Sequence, residues 1–201
     1  MRRLPASVRR NNMADLTRDD VLAKCSAGEP LTNLDLTGID LSYANLKQAD
    51  FSGSDLSEAH LQNANLEKAV LKGVVLSRAF LFGANVQEAD FSGAEMVKTN
   101  LQDSNLTNAT LKGANMQRIS LFGASLEGAD IEGADLSNAK LKRARFIGAN
   151  LKGAVLRGAH LQRAVLKNAD LTGADFEGAN LKNTDMEGAV TAHANMKGTV
   201  Q

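Results

Sequence analysis

From Leu31 onward a large apolar residue returns at every fifth position, through Leu36, Leu41, Leu46 and Phe51 to Met186 and Met196, without insertion or deletion. Of 34 such positions only Thr191 is polar. The site two residues before the next large residue is Ala in 25 of 34 cases, with Leu34, Ile39, Val74 and Ile119 among the exceptions. Two residues after the large one stand 16 of the 17 glycines, and Gly28 alone precedes the array. A period of five matches neither the helical repeat of about 3.6 nor the strand repeat of about two. The chain must therefore turn every five residues. Ala and the large residue, two apart on a short extended piece, share the inward side, and Gly tolerates the positive φ of the corner. Other positions face outward.

Read against known repeats, ADLSN at 134–138 and ANLKG at 149–153 resemble the A(D/N)LXX signature of the pentapeptide-repeat family. The resemblance covers residues 31–200. It implies an all-β fold, a right-handed quadrilateral parallel β-helix in which four repeats make one coil. On that basis residues 31–201 form about 8 coils, a rod of roughly 40 Å at ~4.8 Å per coil. No single repeat can bury its apolar residues alone, so stability comes from stacking neighbours.

A coil stack exposes apolar surface at its ends. Residues 14–30 read as an N-terminal capping helix and connector. Thr17 and Asp20 form a capping-box pair, Gly28 is a stop, and the spacing predicts a helix over 18–27. Leu16, Val21, Leu22 and Cys25 would cover the first coil, with Cys25 in a packing role. Residues 1–13 carry four Arg and no acidic residue and read as a disordered leader, with Met13 an alternative start. At the other end only KGTVQ follows Met196, and relatives in the family often pair through this end, so a C-terminal end-to-end homodimer is expected as one possibility.

Twenty-three basic and 23 acidic residues balance, which removes bulk attraction to nucleic acid or membrane, although charge can still be segregated by face. No run approaches the ~20 apolar residues of a membrane span. A cytoplasmic protein is expected, with export by a non-classical secretion system as the alternative. One Cys allows neither an internal disulfide nor a zinc site. His60 and His160 stand five coils apart, about 24 Å, too far to share a metal. A convex rod lacks the pocket that catalysis needs, and the expectation is no enzyme, no metal and no cofactor.

With four sides, residues twenty apart stack. The side built on Leu41, Leu61, Leu81, Leu101, Leu121, Leu141, Leu161 and Leu181 carries Tyr43, Phe80, Phe82 and Phe122, then Lys140, Lys142, Arg143, Arg163 and Lys182. Aromatic residues and Arg commonly anchor interfaces, so this side is the expected docking surface for an unidentified protein partner. Two other sides carry acidic columns, Asp50, Asp90, Asp130 and Asp170 on one, and Asp35, Asp55, Glu95, Asp135 and Asp175 on the next. The favoured account of these is hydrogen bonding to bend backbone, and the Asn45, Asn65, Asn85 and Asn105 column reads the same way.

The leading expectation is a rigid, non-enzymatic protein-interaction scaffold or adaptor. Relatives resembling fluoroquinolone-protection proteins imply an alternative, DNA mimicry acting on gyrase through the acidic columns. Residues 31–201 carry 19 acidic and 17 basic residues, and Lys72, Lys112 and Lys152 interrupt the first column, whereas a duplex mimic calls for dense negative charge. The stretch LTRDDVLAKCSAGEPLTNLDLTGIDLSYANL also resembles the start of repeat domains encoded beside type VI secretion genes, implying an adaptor or cargo role.

Overall fold

The computed structural model describes residues 16–201, so the leader of residues 1–13 lies outside the described residues. The chain opens with helix α1, Arg18–Ala27. Thr17 Oγ1 accepts from the Asp20 amide at 3.3 Å and the Thr17 amide donates to Asp20 Oδ2 at 2.9 Å, closing the capping box. Gly28, at φ 70°, ends the helix in the left-handed conformation. Val21 is fully buried, and Leu16, Leu22 and Cys25 pack partly buried against the core. The Arg18 guanidinium donates to the Asp40 and Ser42 carbonyls, both at 2.8 Å, and ties α1 to the first coil. Burial raises the Cys25 thiol pKa, which favours its protonated form.

After α1 each pentapeptide repeats one hydrogen-bonding pattern. Around Leu41, the Leu41 amide donates to the His60 carbonyl at 2.7 Å, and the Tyr43 amide to the Gln62 carbonyl at 2.8 Å. The Ala44 amide closes a turn on the Leu41 carbonyl at 3.1 Å, and the His60 amide reaches back to the Ile39 carbonyl at 2.9 Å. The amide in the middle of the turn is left over, and the Asp or Asn before the large residue takes it. Ser52 donates to Asp50 Oδ1 at 2.9 Å and Ser137 to Asp135 Oδ1 at 2.9 Å. A turn amide without a backbone partner favours a side-chain acceptor two residues before it, which is the physical reason for the D/N of the repeat.

Parallel bridges join residues twenty apart along the array, from Asp35↔Asp55 to Asn180↔Val200, which makes each coil four pentapeptides long. Each side contributes one bridging residue rather than a multi-residue strand. Two of every five residues are spent in the turn, so the extended piece is too short for a ladder. The third turn position takes positive φ in every repeat, at 16 glycines and at 18 other residues, Tyr43, Lys98, Arg118 and Arg143 among them.

Inside, the large residues and the Ala positions form one continuous core, with Phe51, Phe91, Phe146 and Phe176 fully buried. Ser54, Thr99 and Ser104 replace Ala there, and their hydroxyls donate to the Leu31, Leu76 and Leu81 carbonyls of the preceding coil at 2.5–2.7 Å. In the terminal coil Met186, Ala189 and Met196 are only partly buried, and Val190 and Val200 are exposed.

Candidate functional site

The four sides follow one another as the Leu121, Leu126, Ile131 and Leu136 sides, so the Ile131 side lies opposite the Leu121 side. Four of the chain's eight aromatic residues fill the core, and the other four, Tyr43, Phe80, Phe82 and Phe122, all lie on the Leu121 side or its corner. Tyr43 is 76% exposed, Phe80 40% and Phe82 43%. Phe80 bridges between His60 and Asn100, and its ring stands 5.1 Å from the His60 ring at a 33° tilt. Phe122 departs from the sequence expectation. It is half-buried rather than freely exposed, because the Arg143 guanidinium from the next coil lies over its ring, 5.8 Å from the centroid.

Beyond Phe122 the side becomes basic. Lys140, Lys142, Arg143, Arg163 and Lys182 are all exposed. An open groove of about 570 Å³ is lined by Gln102, Ser120, Phe122, Lys140, Lys142, His160 and Gln162. A second, of about 580 Å³, shares Gln102, Ser120 and Lys140 with it and extends to Lys98, Arg118 and Asn138. Gln102 Nε2 donates to Ser120 Oγ at 2.9 Å across the shared floor. Reading side by side missed Lys98 and Arg118. They occupy the corner of the Leu136 side, and the turn carries them onto the edge of the Leu121 side. The available signal was their corner position, two after Met96 and Met116.

The acidic columns sit elsewhere and are engaged. Asp35, Asp50, Asp55, Asp90, Asp130, Asp135, Asp170 and Asp175 each accept the amide two residues on. Glu95 instead accepts from the Asn115 side chain at 2.7 Å. On the Ile131 side Lys72, Lys112 and Lys152 pair with Asp90, Asp130 and Asp170 at 3.0–3.2 Å. Burial opposes the charge of Asp90, but hydrogen bonds from Ser92 and Lys72 outweigh it and hold its carboxyl below the usual range. The Thr172 hydroxyl and amide, then Lys152, do the same for Asp170. Among the described residues no group of His, Cys, Asp and Glu is placed to hold a metal ion. No helix among them is long and apolar enough to cross a membrane.

A family model described as pentapeptide repeats matches eight copies over residues 31–57, 49–87, 84–121, 119–158 and 149–188. Among solved structures the chain is similar to HetL, a pentapeptide repeat protein involved in heterocyst differentiation regulation from the cyanobacterium Nostoc sp. strain PCC 7120. The two share 36% identity over 92% of this chain and 96% of that one, with a TM-score of 0.57. It also resembles a trypsin-treated variant of QnrB1, a plasmid-mediated fluoroquinolone resistance protein, at 20% identity, 80% and 88% coverage and a TM-score of 0.49. A third likeness is Rfr23 from the cyanobacterium Cyanothece 51142, at 23% identity, 90% and 97% coverage and a TM-score of 0.33. A comparison with curated protein sequences gave no match. The unbroken five-residue register, the bridges twenty apart, the family model and the likeness to HetL agree that the chain belongs to the pentapeptide-repeat family, whose fold is a right-handed β-helix solenoid.

Proposed function

We propose that the protein is a rigid, non-enzymatic scaffold or adaptor that docks a protein partner on its Leu121 side. The observation that carries this reading is the segregation of aromatic residues: every aromatic side chain outside the core lies on one side. Aromatic rings with adjacent Arg supply most of the energy of typical interfaces, and a preformed surface avoids the cost of ordering on binding. The pentapeptide-repeat family is generally one of non-enzymatic interaction proteins, and HetL, the relative at 36% identity, is described as taking part in regulation. Phe82→Asp tests the reading. The substitution is at an exposed position and should leave the melting temperature within a few degrees, while a partner captured from native lysate by the parent is lost. Capture unchanged by the substitution removes the aromatic patch of Phe80, Phe82 and Phe122 from consideration.

The gyrase alternative draws less support. A duplex mimic presents unneutralised carboxylates, and the acidic columns here are turned to turn amides and to Lys72, Lys112 and Lys152. An end-to-end pairing through the last coil is supported by exposed Val190 and Val200 and is checked by sedimentation of a Val190→Lys variant.

A further inference from the structure

The basic half of the Leu121 side is distinguished by what its cations lack. Among the described residues twelve of nineteen Lys and Arg lie in ion pairs. The other seven are Lys98, Arg118, Lys140, Lys142, Arg143, Arg163 and Lys182, and all stand on the Leu121 side or its two corners. Scattered surface cations would not sort in this way.

The reason is visible in the register. Elsewhere in the coils a cation finds its carboxylate eighteen or twenty residues away along the chain, in a neighbouring coil. Lys72 meets Asp90, Lys152 meets Asp170, Arg157 meets Asp175 and Lys167 meets Glu187. On the Leu121 side the same offsets lead to other residues. Eighteen beyond Lys142 is His160 and eighteen beyond Lys182 is Val200. Arg118 stacks one coil after Lys98, and Arg163 one coil after Arg143. Like charges at the ~4.8 Å coil spacing repel, so the arrangement costs stability in the free protein. From Lys98 to Lys182 the only carboxylate on this side is Asp103, at its far corner from Lys98 and Arg118. The two grooves run between these cations, and Phe122 forms an apolar wall of the first.

We infer that this groove binds an extended acidic segment of a protein partner, its carboxylates pairing with Lys98, Arg118, Lys140, Lys142 and Arg163 and an apolar side chain resting on Phe122. The inference rests on the scaffold reading and adds the chemistry of the partner. Charge complementarity selects an anion, and the width of one pentapeptide side selects a narrow one. A nucleic acid is disfavoured on two counts. Single strands need several aromatic rings interleaved with the cations, whereas Phe122 alone of the Phe and Tyr residues outside the core stands among them, with Arg143 over its ring, and Tyr43, Phe80 and Phe82 lie upstream. A duplex would overhang onto adjoining sides that carry carboxylates, Glu127 and Asp185 on one and Asp135 and Asp175 on the other. The chain's own leader is basic and does not fit.

The test uses the full chain and a fluorescein-labelled peptide alternating Glu and Ser around one Phe, titrated at low and at physiological ionic strength. A Lys140→Gln/Lys142→Gln/Arg143→Gln variant is compared with Lys72→Gln/Lys112→Gln/Lys152→Gln, which removes the same charge from the opposite side. The expected result is saturable binding that weakens with salt, falls about tenfold or more in the first variant and holds within about twofold in the second. Thermal melts of both variants establish that each is folded. Equal loss in both variants, no binding at low salt, or tighter binding of a single-stranded oligonucleotide than of the peptide each overturns the inference. A partner that Phe82→Asp abolishes but that docks through a neutral or basic segment overturns the acidic-segment inference and leaves the scaffold reading standing. A partner insensitive to both Phe82→Asp and the Lys140 variant ends both.

Discussion

The corner residue sets the cost of each repeat. Gly53 and Gly73 both take positive φ, at 68° and 60°, but a Cβ on Gly53 would lie 2.5 Å from Asn33 Oδ1 whereas one on Gly73 meets nothing within 4 Å. Gly73→Ala should cost about 1–2 kcal/mol from conformation alone, and Gly53→Ala more, because the Asn33 amide must also move. Chemical denaturation of the two variants checks the order. The converse holds at Arg118, a side chain at φ 57° with no ion-pair partner among the described residues. Arg118→Gly should raise stability by about 0.5–1 kcal/mol while weakening acidic-peptide binding, the signature of a residue kept for contact. The bend carboxylates and the helix-capping Asp20 fix the pH response. Asp20, Asp40, Asp135 and Asp170 all have pKa values lowered in the fold from the ordinary 3.8. Deprotonated folded carboxylates bind fewer protons than the unfolded chain does. Their stabilisation is therefore complete above the unfolded value and lost as pH falls through the folded ones. Melting temperature should hold from neutral pH to about 5 and drop below about 4; a flat profile to pH 2 would contradict this.

At the scale of the coil, the large apolar residues act as layers of one stack. Leu121 is fully buried near the middle of the array, with coils on either side. Leu121→Ala should cost about 2–5 kcal/mol, and Leu121→Asp should abolish cooperative unfolding, since it buries an unpaired carboxylate in the apolar stack. Circular dichroism melts distinguish the outcomes, and an unchanged midpoint for the Asp variant would refute the stacked-core account. The coil was legible before the structure because its determinants are local in sequence: size at one position, smallness two before it, φ tolerance two after it. The ends of α1 were legible for the same reason, through Thr17, Asp20 and Gly28. Single-residue bridges in place of strands follow from how many residues the turn consumes, which periodicity alone did not specify.

Across the whole molecule, the sequence shows which residues share a side but not which of them find partners. The placement of Phe80 and Phe82 on one exposed side followed directly from a register that never slips. The half-burial of Phe122 did not, because it depends on the Arg143 side chain folding back from the next coil. Lys98 and Arg118 escaped because a corner belongs to two sides, and a count by pentapeptide assigns it to one. The even charge balance concealed the main electrostatic feature, a side of unpaired cations on a rod whose other cations are paired. The central claim is that the Leu121 side carries the partner. Photo-crosslinking reads it directly, with a photoreactive residue placed at Gln102 or Gln162 on that side, or at Thr172 on the opposite one. The account predicts one common crosslinked partner from positions 102 and 162 and none from 172. Crosslinking to that partner from 172 alone, or equally from all three, would contradict it.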